Sequence, residues 1–209
     1  MSRIIPLFPL QTVVFPTERL PLHIFEERYK QLVKDCVRRN LNFGIPTYIN
    51  GELGFGTELS IDKIVKKYEN GSLDIICSGV RAFKIEKFFN PIPNKLYAGG
   101  EVHFMENIDD ATIETQQEVL DLVYRMYRNI DMPIEPMEPN EFKSFLFAHK
   151  LGLNLEQEYQ LLQLPSESER LLFIKNHLQK VIPVLEQINE TKKRIQLNGH
   201  FRNFDPLKF

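Results

Sequence analysis

The sequence predicts an α+β protein: a strand-rich front half holding one helix, then a helical back half ending in a long helix kinked by proline. Three observations predict it. Residues 1–108 show short alternating apolar runs punctuated by proline and glycine; from about residue 110 the apolar period changes to that of a helix; and two capping boxes mark helix starts in the back half. The expected division is therefore 1–108 and 109–209.

The opening runs Ile4 to Phe8 and Thr12 to Phe15 are broken by Pro6, Pro9 and Pro16, which cannot donate to a sheet ladder and suit edges or rims. Asn70-Gly71 predicts a hairpin with a type I′ turn, in which both central residues take positive φ. Pairing residues whose numbers sum to 141 sets Tyr68 against Leu73, Lys67 against Asp74, Val65 against Ile76 and Ile64 against Cys77. Apolar residues then meet apolar ones and opposite charges meet, as cross-strand packing favours. Phe83 and Ile85, and Val102 and Phe104, alternate with polar residues and predict two further strands. Between these lies one amphipathic helix with Phe25, Tyr29, Leu32, Val33, Cys36 and Val37 on a single stripe. Glu26 and Glu27 suit its positive end, Arg38 and Arg39 its negative end.

In the back half, Ile113, Leu120, Val123, Tyr124 and Tyr127 share one helical face. A proline-rich linker, 133–139, leads to a second helix that begins at Pro139 and ends before Gly152. Asn154-x-x-Gln157 and Ser166-x-x-Glu169 start two more near 155 and 167. The last runs to about 197 with Pro183 inside, which should kink it near Gln179. Beyond it, Phe201, Phe204 and Phe209 are costly to leave in water, so the tail is expected to fold back or to cover a second copy in a homodimer.

With 209 residues, 43% of them hydrophobic and 26% charged, the chain can bury a sizeable core. Residues 1–100 carry 14 Lys/Arg and 10 Asp/Glu, and residues 101–209 carry 12 and 18, so +4 is joined to −6. That balance argues against a dedicated nucleic-acid binder. Two cysteines outside any C-x-x-C pair read as buried free thiols in a reducing cytoplasm. No run of 18 apolar residues exists to span a membrane.

Catalytic equipment is sparse. Gly51 to Glu58 has the glycine spacing of a phosphate loop but continues Thr57-Glu58 where a lysine is needed, so a turn between strands is expected. The five histidines show no metal-ligand spacing with one another or with cysteine, and no metal or cofactor is expected. Ser78-Gly79 reads as a bulge or turn rather than a nucleophile elbow. Asp109-Asp110 suits a helix N-terminus.

The opening is the distinctive part. Ile5-Pro6-Leu7-Phe8-Pro9-Leu10, Val14-Phe15-Pro16 and Leu20-Pro21-Leu22-His23-Ile24-Phe25-Glu26-Glu27-Arg28-Tyr29 resemble the N-terminal domain of the ATP-dependent protease Lon. Phe43-Gly44-Ile45, Gly56-Thr57, Asn70-Gly71 and Gly79-Val80-Arg81-Ala82-Phe83-Lys84-Ile85 continue the resemblance in order. It implies a PUA-like β pseudo-barrel followed by a helical bundle, and recognition of unfolded or apolar protein segments, with a separate ATPase or protease as a further partner. The AAA+ and Ser-Lys protease parts of Lon have no counterpart in these residues, so Lon-type peptidase activity is not expected of them.

For the recognition surface the candidates are Phe15, Pro16, Leu20, Pro21 and Tyr29, with Arg28 and Arg81 orienting a backbone or a carboxylate. Each admits a packing role as well: Tyr29 as helix-face core, Arg28 as a partner for barrel carbonyls. Two other classes stay open, an RNA-binding PUA-like barrel favoured by the +4 front half and Lys66-Lys67-Tyr68, and an unrecognised small-molecule enzyme.

Overall fold

The computed structural model describes residues 2–200, with side chains for 3–196. Six strands form in order: β1 Ser2–Leu7, β2 Arg19–Ile24, β3 Phe43–Ile49, β4 Glu52–Lys67, β5 Leu73–Phe89 and β6 Ala98–Phe104. The helices are α1 Glu27–Arg39, α2 Ile113–Asn129, α3 Ser144–Phe147, α4 Leu155–Leu162 and α5 Glu167–His200. The protein is thus mixed α+β, strands first and a long helix last.

The sheet order β2-β5-β4-β3-β1-β6, with β5 also paired to β6, closes five strands into a ring and leaves β2 on the outer flank of β5. Strands β1 and β3 run parallel, joined at Leu7 and Gly44. Helix α1 buries Tyr29, Leu32, Val33 and Cys36 against Phe43, Ile45, Leu59, Ile75 and Cys77. Phe25 and Val37, assigned to that stripe on periodicity, are 63% and 52% exposed, because the helix starts after Phe25 and its buried face is narrower than the apolar run. Cys36 and Cys77 are free and buried, and burial pushes each thiol up to about 12.

The hairpin of β4 and β5 forms, but in another register. Lys67 faces Leu73, Lys66 faces Asp74, Ile64 faces Ile75 and Lys63 faces Ile76. The turn explains the shift. Tyr68 N–H donates to Ser72 O and Gly71 N–H to Tyr68 O, and only Gly71 of the pair has positive φ, +79°. That is a three-residue loop with glycine in the left-handed position, not a type I′ turn, and Asn70 Oδ1 caps Ser72 N–H at 3.0 Å. Bulges move the register further along. Positive φ at both central residues occurs instead at Asn50-Gly51, 51° and 84°, between β3 and β4. Beyond that turn, residues 52–58 are strand, so the glycine cluster is only in its first residue a turn.

Two glycines allow close approach. A Cβ on Gly56 would collide with the Ile45 carbonyl oxygen, and one on Gly79 with the Phe15 carbonyl oxygen. Ser78-Gly79 lies beside a bulge of β5, where the register slips between the Glu58–Arg81 and Leu59–Gly79 pairs.

The chain divides into two compact units. The first holds residues 1–110 with 143–170, the second 111–142 with 171–209. Helices α3 and α4 group with the strands in the first unit. Contacts within the first unit account for this: Tyr159 Oη accepts from Phe55 N–H at 2.9 Å, and the Phe145 ring lies 5.3 Å from that of Phe15. The second predicted helix is broken into 3-10 turns at Pro139–Glu141 and Ala148–Lys150 around the four-residue α3. The Asn154 capping box is present with both reciprocal bonds at 2.9 Å. Asp110 accepts from Ser168 N–H and Oγ–H, capping the N-terminus of α5 rather than the helix that follows it in sequence. In the second unit, α2 and α5 join through Arg125–Glu186, Asn129–Asn189 and Glu118–Lys175. Pro183 lies inside α5, and the expected tail contacts of Phe201, Phe204 and Phe209 lie outside the described residues.

A buried charged cluster ties α3 to the start of α5. Glu167 accepts from Ser144 N–H at 2.6 Å and Ser144 Oγ–H at 2.7 Å; Arg170 donates to Glu167 at 2.8 Å, to Leu164 O at 2.8 Å and to Asn107 Oδ1 at 2.6 Å. Their side chains are 4% and 3% exposed. Arg170→Met should cost roughly 3–5 kcal/mol by leaving Glu167 buried without its cation, read as a lower urea midpoint. Gly56→Ala should cost about 1–3 kcal/mol through backbone displacement, whereas Gly51→Ala, with open space around it, meets only the strain of its φ.

Candidate functional site

A groove of about 340 Å³ opens on the strand-rich unit. Four stretches distant in sequence build it: Pro9, Leu10 and Gln11 after β1; Arg28 and Tyr29 in the first turn of α1; Tyr48 and Leu53 flanking the Asn50-Gly51 turn; and Phe88, Asn90 and Ala98 from the end of β5 to β6. The Pro9–Gln11 segment is held to β3, since Leu10 N–H donates to Pro46 O at 3.2 Å and Tyr48 N–H to Leu10 O at 2.7 Å. Both backbone groups of Leu10 are therefore paired.

Tyr29 forms the floor. Its ring stacks on Phe8 with centroids 3.8 Å apart, and burial raises its phenol above the ordinary range. The Arg28 guanidinium carbon lies 4.5 Å from the centroid of the same ring, and Glu26 holds the head with bonds of 2.8 and 2.9 Å. Tyr48 and Phe88 form walls and remain 42% and 40% exposed. Apolar walls, half-exposed rings and one oriented cation can take up side chains of an extended segment and bond its backbone carbonyls or a carboxylate. Among the described residues, no three of His, Cys, Asp and Glu group to hold a metal ion.

Of the seven residues proposed from sequence, the groove brings together Arg28 and Tyr29. Arg28 bonds Glu26 and not a barrel carbonyl. Phe15 is fully buried, its ring against Phe145 and His149, and Pro16, largely buried beside it, lines a second pocket with Phe145 and Leu146 rather than the groove. Phe15 N–H bonds Glu18, Thr17 N–H bonds Gly79 O, and the loop packs as core. Leu20 packs partly buried on the core while Pro21 is exposed on β2 opposite Ile76. Arg81 bonds Glu58 at 2.7 Å and lies 3.5 Å over the Phe104 ring, away from the groove. Sequence reasoning missed Tyr48, Leu53 and Phe88. One signal was present: adjacent aromatics in a strand, Phe88-Phe89, point to opposite faces and cannot both enter one core.

His149 joins the Phe15 loop to α4. Its Nδ1 lies 2.8 Å from Glu158 and its Nε2 3.1 Å from Glu18, and the two carboxylates, Glu18 foremost, raise its pKa to about 9 against opposing desolvation. A folded-state pKa above the ordinary 6.5 stabilises the fold fully below pH 6.5 and loses that contribution as pH rises through about 9. Relative to His149→Gln, the protein's melting temperature should hold below pH 6.5 and converge on the variant's above pH 9, by an amount reduced by the 37% exposure of the side chain.

A strand ring with an attached helical segment and a groove on its surface defines a mixed α+β domain. The chain belongs to the family of ATP-dependent protease La (LON) substrate-binding domains, whose model matches residues 4–180. It is 23% identical over 223 residues to a Lon protease of Dictyoglomus thermophilum, covering 94% of this chain and 27% of that one, so it spans about a quarter of that relative's length. The crystal structure of a Lon N-terminal domain protein from Xanthomonas campestris superposes with a TM-score of 0.64 at 27% identity, covering 81% of this chain and 95% of that one. The N-terminal domain of the Mycobacterium avium complex Lon protease shares the fold, with a TM-score of 0.62 at 15% identity, 85% of this chain and 98% of that one. Among the described residues no helix is long and apolar enough to cross a membrane.

Proposed function

We propose that this chain recognises protein substrates, taking apolar segments of unfolded or extended chains into the groove above Tyr29, and that its own residues carry out no bond-breaking step. The observation that supports this reading is the pair of half-exposed rings, Tyr48 and Phe88, beside Arg28 oriented by Glu26, in a member of a substrate-binding family. Burying one aromatic side chain contributes about 1.5–3 kcal/mol, and ordering a flexible client opposes it, so affinity for any one segment is modest. Modest affinity suits a binder that must release what it holds. The similarity to a longer Lon protease supports a cytoplasmic role in which captured segments pass to an ATP-dependent protease.

A reduced, carboxymethylated globular protein serves as client. Replacing Tyr48 and Phe88 by serine should weaken its binding at least about tenfold while moving the melting temperature little, since both rings are partly in water. Binding equal to that of the unaltered protein would remove the groove from the function.

A further inference from the structure

Helix α5 carries two apolar stripes, and the fold of the second unit uses one. Leu171, Ile174, Leu178 and Ile182 are buried, and along the same side Glu186 and Asn189 bond α2. The other stripe is Val181, Val184, Ile188, Thr191 and Ile195. Its spacing of 3, 4, 3 and 4 residues is a heptad seam, lying within an arc of about 80° at ~100° per residue. Val181 is half-buried, but Val184, Ile188 and Ile195 are 54%, 45% and 65% exposed.

The charges along this seam have one sign. Lys180, Lys192 and Arg194 border it and enter no ion pair among the described residues. Glu186 and Glu190 project from the far side of the helix, and Glu186 is engaged by Arg125. A second copy of α5 laid antiparallel on the seam would bring Lys180 against Arg194, which disfavours that self-pairing. A lipid surface is matched by a broader apolar face than this narrow row.

We propose that the exposed seam of α5 docks an amphipathic helix of a partner protein that bears apolar residues at heptad positions and Asp or Glu on their flanks. Apolar knobs supply the contact area and the flanking carboxylates select the partner. The seam is separate from the groove above Tyr29, so either surface can fail without the other.

The probe is a pair of synthetic helices of about three heptads with leucine at the core positions, one flanked by glutamate and one by lysine. Their binding to the full chain is read by fluorescence anisotropy. The glutamate helix should bind at least about tenfold more tightly than the lysine helix, and the difference should shrink as salt rises. Ile188→Ser should weaken glutamate-helix binding by about tenfold while moving the melting temperature little, because Ile188 is 45% exposed. The triple change Lys180→Glu, Lys192→Glu, Arg194→Glu should reverse the preference. Absent binding, equal binding of both helices, a dimer dissociated by Ile188→Ser, or binding of anionic vesicles with neither helix would each overturn the proposal.

Discussion

Strand β5 is the constraint on which the rest of the strand-rich unit depends. Its 17 residues pair with β4 along most of their length, with β2 at the start and with β6 at the end. One strand can serve three partners only by bending, and it does so at two irregularities, between the Arg81 and Gly79 pairs and between Ile85 and Lys87. The first brings Gly79 against the Phe15 carbonyl and seals the opening loop inside. The second lies just before Phe88, the ring that walls the groove.

The groove is a consequence of that closure. Its residues come from the loop after β1, from α1, from both sides of the Asn50-Gly51 turn and from the end of β5, and they meet only because the strand ring joins its ends. What they offer is contact: stacked and half-exposed rings with one positioned guanidinium. The strongly interacting charged side chains lie elsewhere, in Glu167–Arg170 and in His149 with its two glutamates, where they hold α3 and α4 within the same unit. The groove and these buried or half-buried charge clusters share no residue.

The apolar, proline-punctuated opening divides between core and groove, and Phe15 falls in the core. The loop that carries Phe15 is bonded through its backbone to Gly79 and to the Glu18 side chain. Pro9 to Gln11 is pinned to β3 and lines the groove. The Phe15 loop bonds β5 instead, at Gly79.

Local chemistry in the sequence determined the change from strands to helices near residue 110, helix α1, the hairpin at Asn70-Gly71, the Asn154 cap and the buried thiols, because each rests on periodicity or on bonds between residues a few positions apart. The same sequence, through its opening motif, pointed to the Lon substrate-binding family. Register, ring closure and the groove were decided by tertiary structure. A one-residue difference in a turn shifts every pair of a hairpin, and the placement of Tyr48 and Phe88 beside Arg28 is set by strand pairings tens of residues apart, which local periodicity does not encode.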